Sequence, residues 1–171
     1  IELTPINSGS LFLAYLVYHI ESENLFIIKK PNVLDNEIEK LKKRELENYR
    51  QLNHPLIPKF YGKTKETHNL IIEYINGKTL ADTNINEFSF DDKIIIIFEL
   101  LLIINYLHKN HFIYRDLKPC NVMIDDNKNL VLIDFDRMLQ YDELSNNEKR
   151  TNDLSSLFVS PEVNCTIFDY S

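Results

Sequence analysis

Apolar and polar positions alternate near the start of the chain in the way that is typical of strands. Residues 3–30 predict three strands; the stretch 11–20 is strongly apolar and aromatic-rich, and 24–30 is β-branched and ends in two lysines. The pattern then changes to a helical period over residues 35–52, where apolar residues form one stripe behind an acidic start. The first part of the chain is therefore expected to hold three strands followed by one helix.

Two short strands and a long apolar helix are predicted next. Residues 60–62 and 68–74 predict a hairpin. Ser89 then begins a helix that runs to about His108 and is apolar nearly all round. Because a helix of that kind is typically buried on all sides, we expect it to lie in the core of the fold.

Composition adds the class of protein and its compartment. The chain has 171 residues, 44% of them apolar, and a formal net charge of −7, which argues against nucleic acid as the main partner and leaves the oligomeric state open. Its longest apolar run, 94–104, is interrupted by Glu99 and is too short for a membrane span of about 20 residues. Cys120 and Cys165 are too few for a disulfide framework. With no basic leader at the first residues, we expect a cytoplasmic protein with free thiols.

Candidate chemistry is concentrated in two polar segments between apolar runs. They are Tyr114-Arg115-Asp116-Leu117-Lys118-Pro119-Cys120-Asn121 and Asp134-Phe135-Asp136. Phosphoryl transfer from a nucleotide needs such a set: a carboxylate for the hydroxyl proton, a cation for the phosphate, and an amide and a second carboxylate for Mg²⁺. The segments resemble the catalytic loop H-R-D-L-K-P-x-N and the metal-binding D-F-G of eukaryotic protein kinases, at seven of eight and two of three positions.

The resemblance implies a role for each polar residue of these segments. Asp116 would accept the proton of the substrate hydroxyl, and Lys118 would stabilise the γ-phosphate. Asn121 and Asp134 would ligate Mg²⁺. Arg115 would bind a phosphate on the activation loop as a bidentate pair.

Residues 6–15 resemble a degraded form of the kinase glycine-rich loop. Asn7, Gly9 and Phe12 stand at its three glycine positions, and Ala14 stands at its valine. Ala14 and Ile27 would then line the adenine slot. Compared with the kinase Val and Ala at these positions, the first side chain is smaller and the second is larger, so their summed volume is kept. The nucleotide contacts implied by the resemblance are Ile6, Gly9, Ala14, Ile27, Lys29, Ile72 as gatekeeper, the backbones of Glu73 and Ile75, and Met123.

An ion pair between the third strand and the helix is a further expectation. Residues 26–29 stand at the kinase motif V-A-I-K, so Lys29 would contact the α- and β-phosphates and pair with a glutamate of the helix. Four glutamates compete for that position, and the spacing to His54-Pro55, which resembles the kinase H-P-x-I helix exit, favours Glu45. The stretch 70–80 resembles the strand, hinge and short helix that join the two kinase lobes.

The fold implied by the resemblance is an α+β, bilobal kinase domain over the whole chain, 1–171. Residues 1–74 would form the first lobe, an antiparallel sheet with one helix; 75–78 would be the hinge, and 79–171 part of a helical second lobe. The chain would end before the helices that complete that lobe. We therefore expect an uncovered apolar flank over 94–107 and a poorly stable chain that is prone to aggregate.

A polar stretch, 137–162, resembles the kinase activation segment. It ends in Ser160-Pro161-Glu162, which resembles A-P-E. Counting back from that motif, Thr151 falls at the usual phosphorylation site. Ser155 falls at the hydroxyl that contacts the catalytic aspartate and lysine. Both are expected to be regulatory.

The main functional hypothesis is ATP- and Mg²⁺-dependent phosphorylation of Ser/Thr hydroxyls in protein substrates. Lys118-Pro119 is typical of the serine/threonine class, and residues 132–136 resemble divergent tyrosine-kinase-like kinases. Asp136 in place of the D-F-G glycine, with the altered glycine loop, favours a nucleotide-binding pseudokinase or interaction module as an alternative. A small-molecule kinase of the aminoglycoside or choline type is a third hypothesis, because Ile133–Asp136 also fits its D-x-D metal motif.

Overall fold

Five strands in the first half of the chain form one antiparallel sheet. The computed structural model describes residues 2–8, 11–33 and 35–141. Along the chain the strands are β1 (Glu2–Ser8), β2 (Phe12–His19), β3 (Asn24–Pro31), β4 (Phe60–Lys63) and β5 (Leu70–Glu73). Their order across the sheet is β1-β2-β3-β5-β4, and every neighbouring pair is antiparallel. The three strands and the hairpin expected from the apolar pattern are all present.

The register of this sheet brings together residues that are far apart in the sequence. Ala14 lies opposite Lys29, and Ile27 lies opposite Ile72. Because side chains alternate between the two faces of a strand, Ile27 and Lys29 of β3 share one face. Both of them line the cavity described below.

Helix α1 (Asn36–Gln51) follows the sheet's third strand and packs against it. The Asp35 side chain caps its first turn by accepting a hydrogen bond from the Glu37 N–H at 2.7 Å. Its buried face carries apolar residues and two polar ones, Glu45 and Asn48. Buried polar side chains nearly always have hydrogen-bond partners, and both of these bind groups from distant parts of the chain.

The second half of the described chain contains one long helix and five short strands. They are β6 (Gly77–Thr79), α2 (Phe90–Lys109), β7 (Phe112–Ile113), β8 (Val122–Asp125), β9 (Leu130–Leu132) and β10 (Leu139–Gln140). Strands β6, β8 and β9 form an antiparallel sheet in that order, and β7 pairs with β10. A turn at residues 126–129 joins β8 to β9.

Gly77 fixes how the chain passes from the first sheet to the second. A Cβ atom at this position would lie 2.2 Å from the Ile124 carbonyl oxygen, so only glycine lets β6 approach β8 this closely. Strand β6 includes residues 77 and 78, which belong to the expected hinge 75–78.

The expectation of a short α-helix after the hinge is wrong. A turn and one 3₁₀ turn, Ile85–Glu87, occupy this part of the chain instead. Polar side chains here bind nearby backbone groups: the Thr83 hydroxyl donates to the Thr79 carbonyl at 2.8 Å, and the Asn84 side chain accepts from the Asn86 N–H at 3.3 Å. Such local bonds compete with those of an α-helix.

Helix α2 is buried on one side and exposed on the other. Ser89 and Asp92 form a capping box at its start. Glu99 lies on the inner side, where its carboxylate accepts a hydrogen bond from the Leu130 N–H at 2.7 Å. The exposed apolar flank consists of Ile94, Ile95, Ile97, Phe98, Leu101 and Leu102. The expectation that α2 is buried on all sides is therefore wrong for the described residues, whereas the expected uncovered flank is present. Neither helix of the described chain is long and apolar enough to cross a bilayer.

One hydrophobic core connects the two sheets and both helices. Four aromatic rings run through it as a column in which Phe60, Tyr49, Phe135 and Tyr114 are successive neighbours. Their ring centroids are 6.4, 5.1 and 5.5 Å apart, within the range of favourable aromatic pairs. Since these rings come from β4, from α1 and from the two segments that carry the candidate chemistry, the column fixes those segments against α1.

Candidate active site

A cavity of about 730 Å³ is lined by residues of both main sheets and of α1. This volume lies within the range of small-molecule and cofactor sites. The expected nucleotide contacts in the described chain line it: Ile6, Ala14, Ile27, Lys29, Ile72, Glu73, Ile75 and Met123. Gly9 lies outside the described residues. The polar candidates Glu45, Asp116, Lys118, Asn121 and Asp134 line the same cavity.

Lys29 stands at the centre of an ion cluster that joins three segments. Its Nζ lies 2.8 Å from Glu45 Oε1 and 2.6 Å from Asp134 Oδ1. The ring of Phe12 lies 4.7 Å from the same ammonium group. We refer to Lys29, Glu45 and Asp134 as the lysine cluster. Its members are separated by 16 and 105 residues in the sequence.

Glu45 is the glutamate of α1 that meets Lys29. The three others each pair with a basic residue three positions along the helix: Glu37 with Lys40, Glu39 with Lys42, and Glu47 with Arg50. Ion pairs of this kind on a helix surface stabilise it by only a few tenths of a kcal/mol (about 0.3 kcal/mol). The geometry thus separates one buried glutamate from three on the surface.

Burial sets the protonation of the lysine cluster. It raises the pKa of Glu45 to about 7, although the Lys29 ammonium opposes this shift. Burial also acts to raise the pKa of Asp134, but contact with Lys29 outweighs it and leaves that pKa below its usual value. For Lys29 itself, burial is outweighed by the charges of Asp134 and Glu45, so its pKa lies well above the usual range. The lysine therefore remains an ammonium ion at neutral pH.

Asp116, Lys118 and Asn121 form a second cluster, the loop cluster, within six residues of chain. Asp116 is buried, and its Oδ2 accepts hydrogen bonds from Lys118 Nζ at 2.7 Å and from Asn121 Nδ2 at 2.9 Å. Asn121 Nδ2 also donates to the Asp116 backbone carbonyl at 2.9 Å. The 3₁₀ turn Pro119–Asn121 folds the amide back onto the carboxylate. The carboxylate is therefore held in one orientation at the cavity wall.

The segment 133–136 alternates between cavity and core. Asp134 and Asp136 line the cavity, whereas Phe135 is fully buried in the aromatic column. Asp134 has a φ of +68°, a left-handed conformation that aspartate tolerates better than most residues. The Tyr114 hydroxyl donates to the Ile133 carbonyl and holds the start of this segment.

Two residues of α1 with a place at the site carry no kinase signature in the sequence. Tyr49 lines the cavity one helical turn after Glu45, and its hydroxyl is buried without a hydrogen-bond partner in the described chain. Asn48 donates to the carbonyls of Phe135 at 2.8 Å and Met138 at 3.1 Å. The helical period after Glu45 could have indicated Tyr49, but nothing in the sequence pattern indicated Asn48.

The structure describes only some of the residues that were expected to be regulatory or to carry free thiols. Arg115 adopts a φ of +69° in the loop before the 3₁₀ turn and does not line the cavity. Thr151 and Ser155 lie outside the described residues, as does Cys165. Cys120 is a free, exposed thiol at the cavity wall.

The donor set fits a divalent metal that is shared with phosphate groups. Asn121 and Asp134 offer oxygen ligands, which Mg²⁺ prefers, and it is usually held by one or two carboxylates with water and substrate phosphates. No group of three or more His, Cys, Asp or Glu side chains in the described part of the chain is arranged to hold a metal by itself. The cavity also combines apolar walls with basic side chains, among them Lys29 and Lys118, as a nucleotide requires.

Comparison with known families decides the class of the domain. Residues 2–166 match the family model of the protein kinase domain. The chain belongs to the protein kinase family. The α+β, bilobal fold expected from the sequence is thereby confirmed, and members of this family use ATP and a divalent metal.

Several curated protein kinases are similar to this chain. The serine/threonine-protein kinase OXI1 of Arabidopsis thaliana is 35% identical over 140 residues, which cover 71% of this chain and 33% of that protein. Mitogen-activated protein kinase kinase kinase 3 of the same plant is 28% identical over 92% of this chain and 26% of its own length. An Aurora kinase of Debaryomyces hansenii is 32% identical over 76% of this chain and 33% of its own length. The chain thus spans between a quarter and a third of the length of these relatives. The tyrosine-kinase-like grouping stays a prediction.

Proposed function

We propose that the protein transfers the γ-phosphate of ATP to Ser or Thr hydroxyls of protein substrates, with Mg²⁺ as its metal. The observation that carries this proposal is the meeting of the loop cluster and the lysine cluster in one cavity. Phosphoryl transfer depends on positioning and on charge stabilisation, and the two clusters supply both. The name of the serine/threonine-protein kinase OXI1, to which the chain is similar, supports the Ser/Thr class.

Asp116 is the proposed proton acceptor. Hydrogen bonds from Lys118 and Asn121 orient its carboxylate at the cavity wall. As the substrate oxygen bonds to the γ-phosphorus, its proton passes to Asp116 and ADP leaves with the bridging oxygen. Lys118, whose side chain is 23% exposed, reaches into the cavity and offsets charge on the transferred group.

Asn121 and Asp134 are the proposed metal ligands. A bound Mg²⁺ would neutralise phosphate charge during transfer. Lys29 is held between Glu45 and Asp134, a position from which its ammonium group can also contact the α- and β-phosphates. Glu45 orients that lysine from α1.

The adenine ring is proposed to lie between Ala14 and Ile27 on one side and Met123 on the other, with Ile72 as gatekeeper. Ile6 would cover the entrance, together with Gly9 of the glycine-rich loop. The Glu73 N–H donates to the Lys59 carbonyl at 2.9 Å, so the Glu73 carbonyl is the group proposed to meet the adenine edge. The backbone of Ile75 would provide the next contact.

Regulation and domain limits complete the proposal. Residues 1–74 would be the first lobe, 75–78 the hinge and 79–171 part of the second lobe. Phosphate on Thr151 would bind Arg115, and Ser155 would contact the loop cluster. An intracellular, cytoplasmic location would give access to ATP and to protein substrates.

Phosphate transfer from radiolabelled ATP to a basic protein substrate tests the proposal. We expect Asp116→Asn to abolish transfer, because an amide cannot accept the proton. Asp91→Asn, the same change at an exposed position of α2, should leave the rate unchanged and serves as the control. Nucleotide binding without transfer by the unmodified chain would indicate a pseudokinase. ADP release only with choline or an aminoglycoside would indicate a small-molecule kinase.

A further inference from the structure

Asp136 is a buried carboxylate that the proposed reaction does not use. It occupies the position of the glycine in the D-F-G motif, is 4% exposed, and lines the cavity beside Asp134. Its Oδ1 atom has no hydrogen-bond partner in the described residues. A buried acceptor without a partner is destabilising, and more so when it is charged, so an oxygen of this kind in a cavity wall is a candidate for binding a ligand.

The charges around Asp136 indicate the sign of that ligand. Asp136 lines the cavity together with Asp134 and Lys29, and the charges of both residues act on its carboxylate. That single ammonium is already shared by Glu45 and Asp134. Arg137 also lines this end of the cavity, so the three carboxylates of Glu45, Asp134 and Asp136 face the two cations Lys29 and Arg137. Negative charge therefore exceeds positive charge at this end of the cavity.

The backbone explains why an aspartate is accepted at this position. The described residues with positive φ include Asp134 but not Asp136. The conformational freedom of a glycine is therefore not needed here, and a side chain at position 136 introduces no backbone strain. The carboxylate can remain beside Asp134 without distorting the segment.

We propose that Asp136 is an additional ligand of the divalent cation held by Asn121 and Asp134. Two neighbouring carboxylates and an amide oxygen form a hard-oxygen site of the kind that Mg²⁺ and Mn²⁺ prefer. Because ligand charge sets the affinity of such sites, the second carboxylate gives the chain measurable cation binding before any nucleotide arrives. The inference rests on the proposed function for the position of the cation, but its test requires neither nucleotide nor phosphorylation.

Binding of Mn²⁺ to the nucleotide-free 171-residue chain tests this inference, with free Mn²⁺ measured by electron paramagnetic resonance. We expect Asp136→Asn and Asp136→Gly each to weaken Mn²⁺ affinity about tenfold or more, since each removes a charged ligand. Asp91→Asn removes the same charge from the exposed start of α2 and should change the affinity less than about twofold. Equal affinities for the unmodified chain and Asp136→Asn, or no Mn²⁺ binding by the unmodified chain, would overturn the inference.

Thermal melting separates metal ligation from a structural role. Without metal, Asp136→Asn should melt at the same temperature as the unmodified chain or higher, because it removes like-charge repulsion. With saturating Mn²⁺, the unmodified chain should gain in melting temperature and the variant should gain much less. A variant that is less stable in both conditions and gains as much from Mn²⁺ would show that Asp136 is structural. Loss of Mn²⁺ binding in Asp134→Asn but not in Asp136→Asn would leave the proposed metal site intact and refute this inference alone.

Discussion

The two ionic clusters of the cavity are built in opposite ways. The loop cluster closes within the six residues from Asp116 to Asn121, whereas the lysine cluster joins β3, α1 and the segment after β9. The first can form wherever that short segment adopts its 3₁₀ turn. The second exists only when the sheet, the helix and the core are assembled. Loss of the lysine cluster should therefore affect folding and chemistry together, and loss of the loop cluster mainly chemistry.

The largest effect on stability is expected from Lys29→Met at pH 8. The change leaves Glu45 and Asp134 near each other without their shared cation, and removing one partner of a buried ion pair costs about 3 kcal/mol. Urea unfolding measures this cost. Lys30→Met on the same strand removes an ammonium that lies over Tyr15 and should cost less than about 1 kcal/mol. A similar loss of unfolding free energy in both variants would mean that the lysine cluster does not stabilise the fold more than a surface lysine does.

Asn48→Ala is expected to cost about 2 kcal/mol. It leaves the carbonyls of Phe135 and Met138 without the amide that now donates to both. Because these bonds tie α1 to the segment that carries Asp134, transfer activity should also fall. Lys43→Ala, at an exposed position of the same helix, is the control for helix stability. Unchanged stability in Asn48→Ala would show that α1 is held by its apolar stripe alone.

The pH dependence of stability should report on Glu45. Its pKa is raised to about 7 in the folded chain, so the folded state holds a proton that the unfolded state releases at lower pH. The stabilisation is complete below the usual glutamate pKa and is lost as pH rises towards 7, by at most about 1.4 kcal/mol per pH unit. In urea midpoints between pH 4.5 and 7.5, Glu45→Gln should flatten this slope, whereas Glu47→Gln on the helix surface should not. An unchanged slope in Glu45→Gln would assign the titration to another group.

Lys118→Met is expected to have the smallest effect on stability, about 1 kcal/mol or less. Its side chain reaches into the open cavity, and Asp116 keeps its hydrogen bonds from Asn121. Phosphate transfer should nevertheless fall, because the charge on the transferred group is no longer offset. Urea unfolding and the transfer assay, run on the same preparation, give both values. A stability loss as large as that of Lys29→Met would remove the distinction between the two clusters.

The same distinction explains what could be predicted from the sequence. Residues 114–121 carry their own partners, so their chemistry could be predicted from one short segment. Lys29 and Glu45 could be paired from the end of a strand and the spacing to His54-Pro55. Asn48 could not be predicted, because its acceptors lie 87 and 90 residues away and the contact depends on packing.

Two misjudged elements have equally physical causes. The short helix after the hinge is absent because Thr79, Thr83 and Asn84 bind the nearby backbone. An apolar pattern on all sides of α2 shows that the helix favours burial, but it does not tell which other residues cover it. Glu99 interrupts the apolar run, but only the structure shows that it lies on the inner side of the helix, where it accepts a hydrogen bond from the Leu130 N–H.

The exposed flank of α2 has a practical consequence for work with this chain. Six large apolar side chains face outward along the helix in the described residues, and Leu101 alone is 63% exposed. A surface of this kind adsorbs to hydrophobic-interaction resins and brightens dyes such as anilinonaphthalene sulfonate even while the cavity is intact. Dye fluorescence from a well-folded sample should therefore be read as a property of this helix, and a mild detergent is the natural additive during purification.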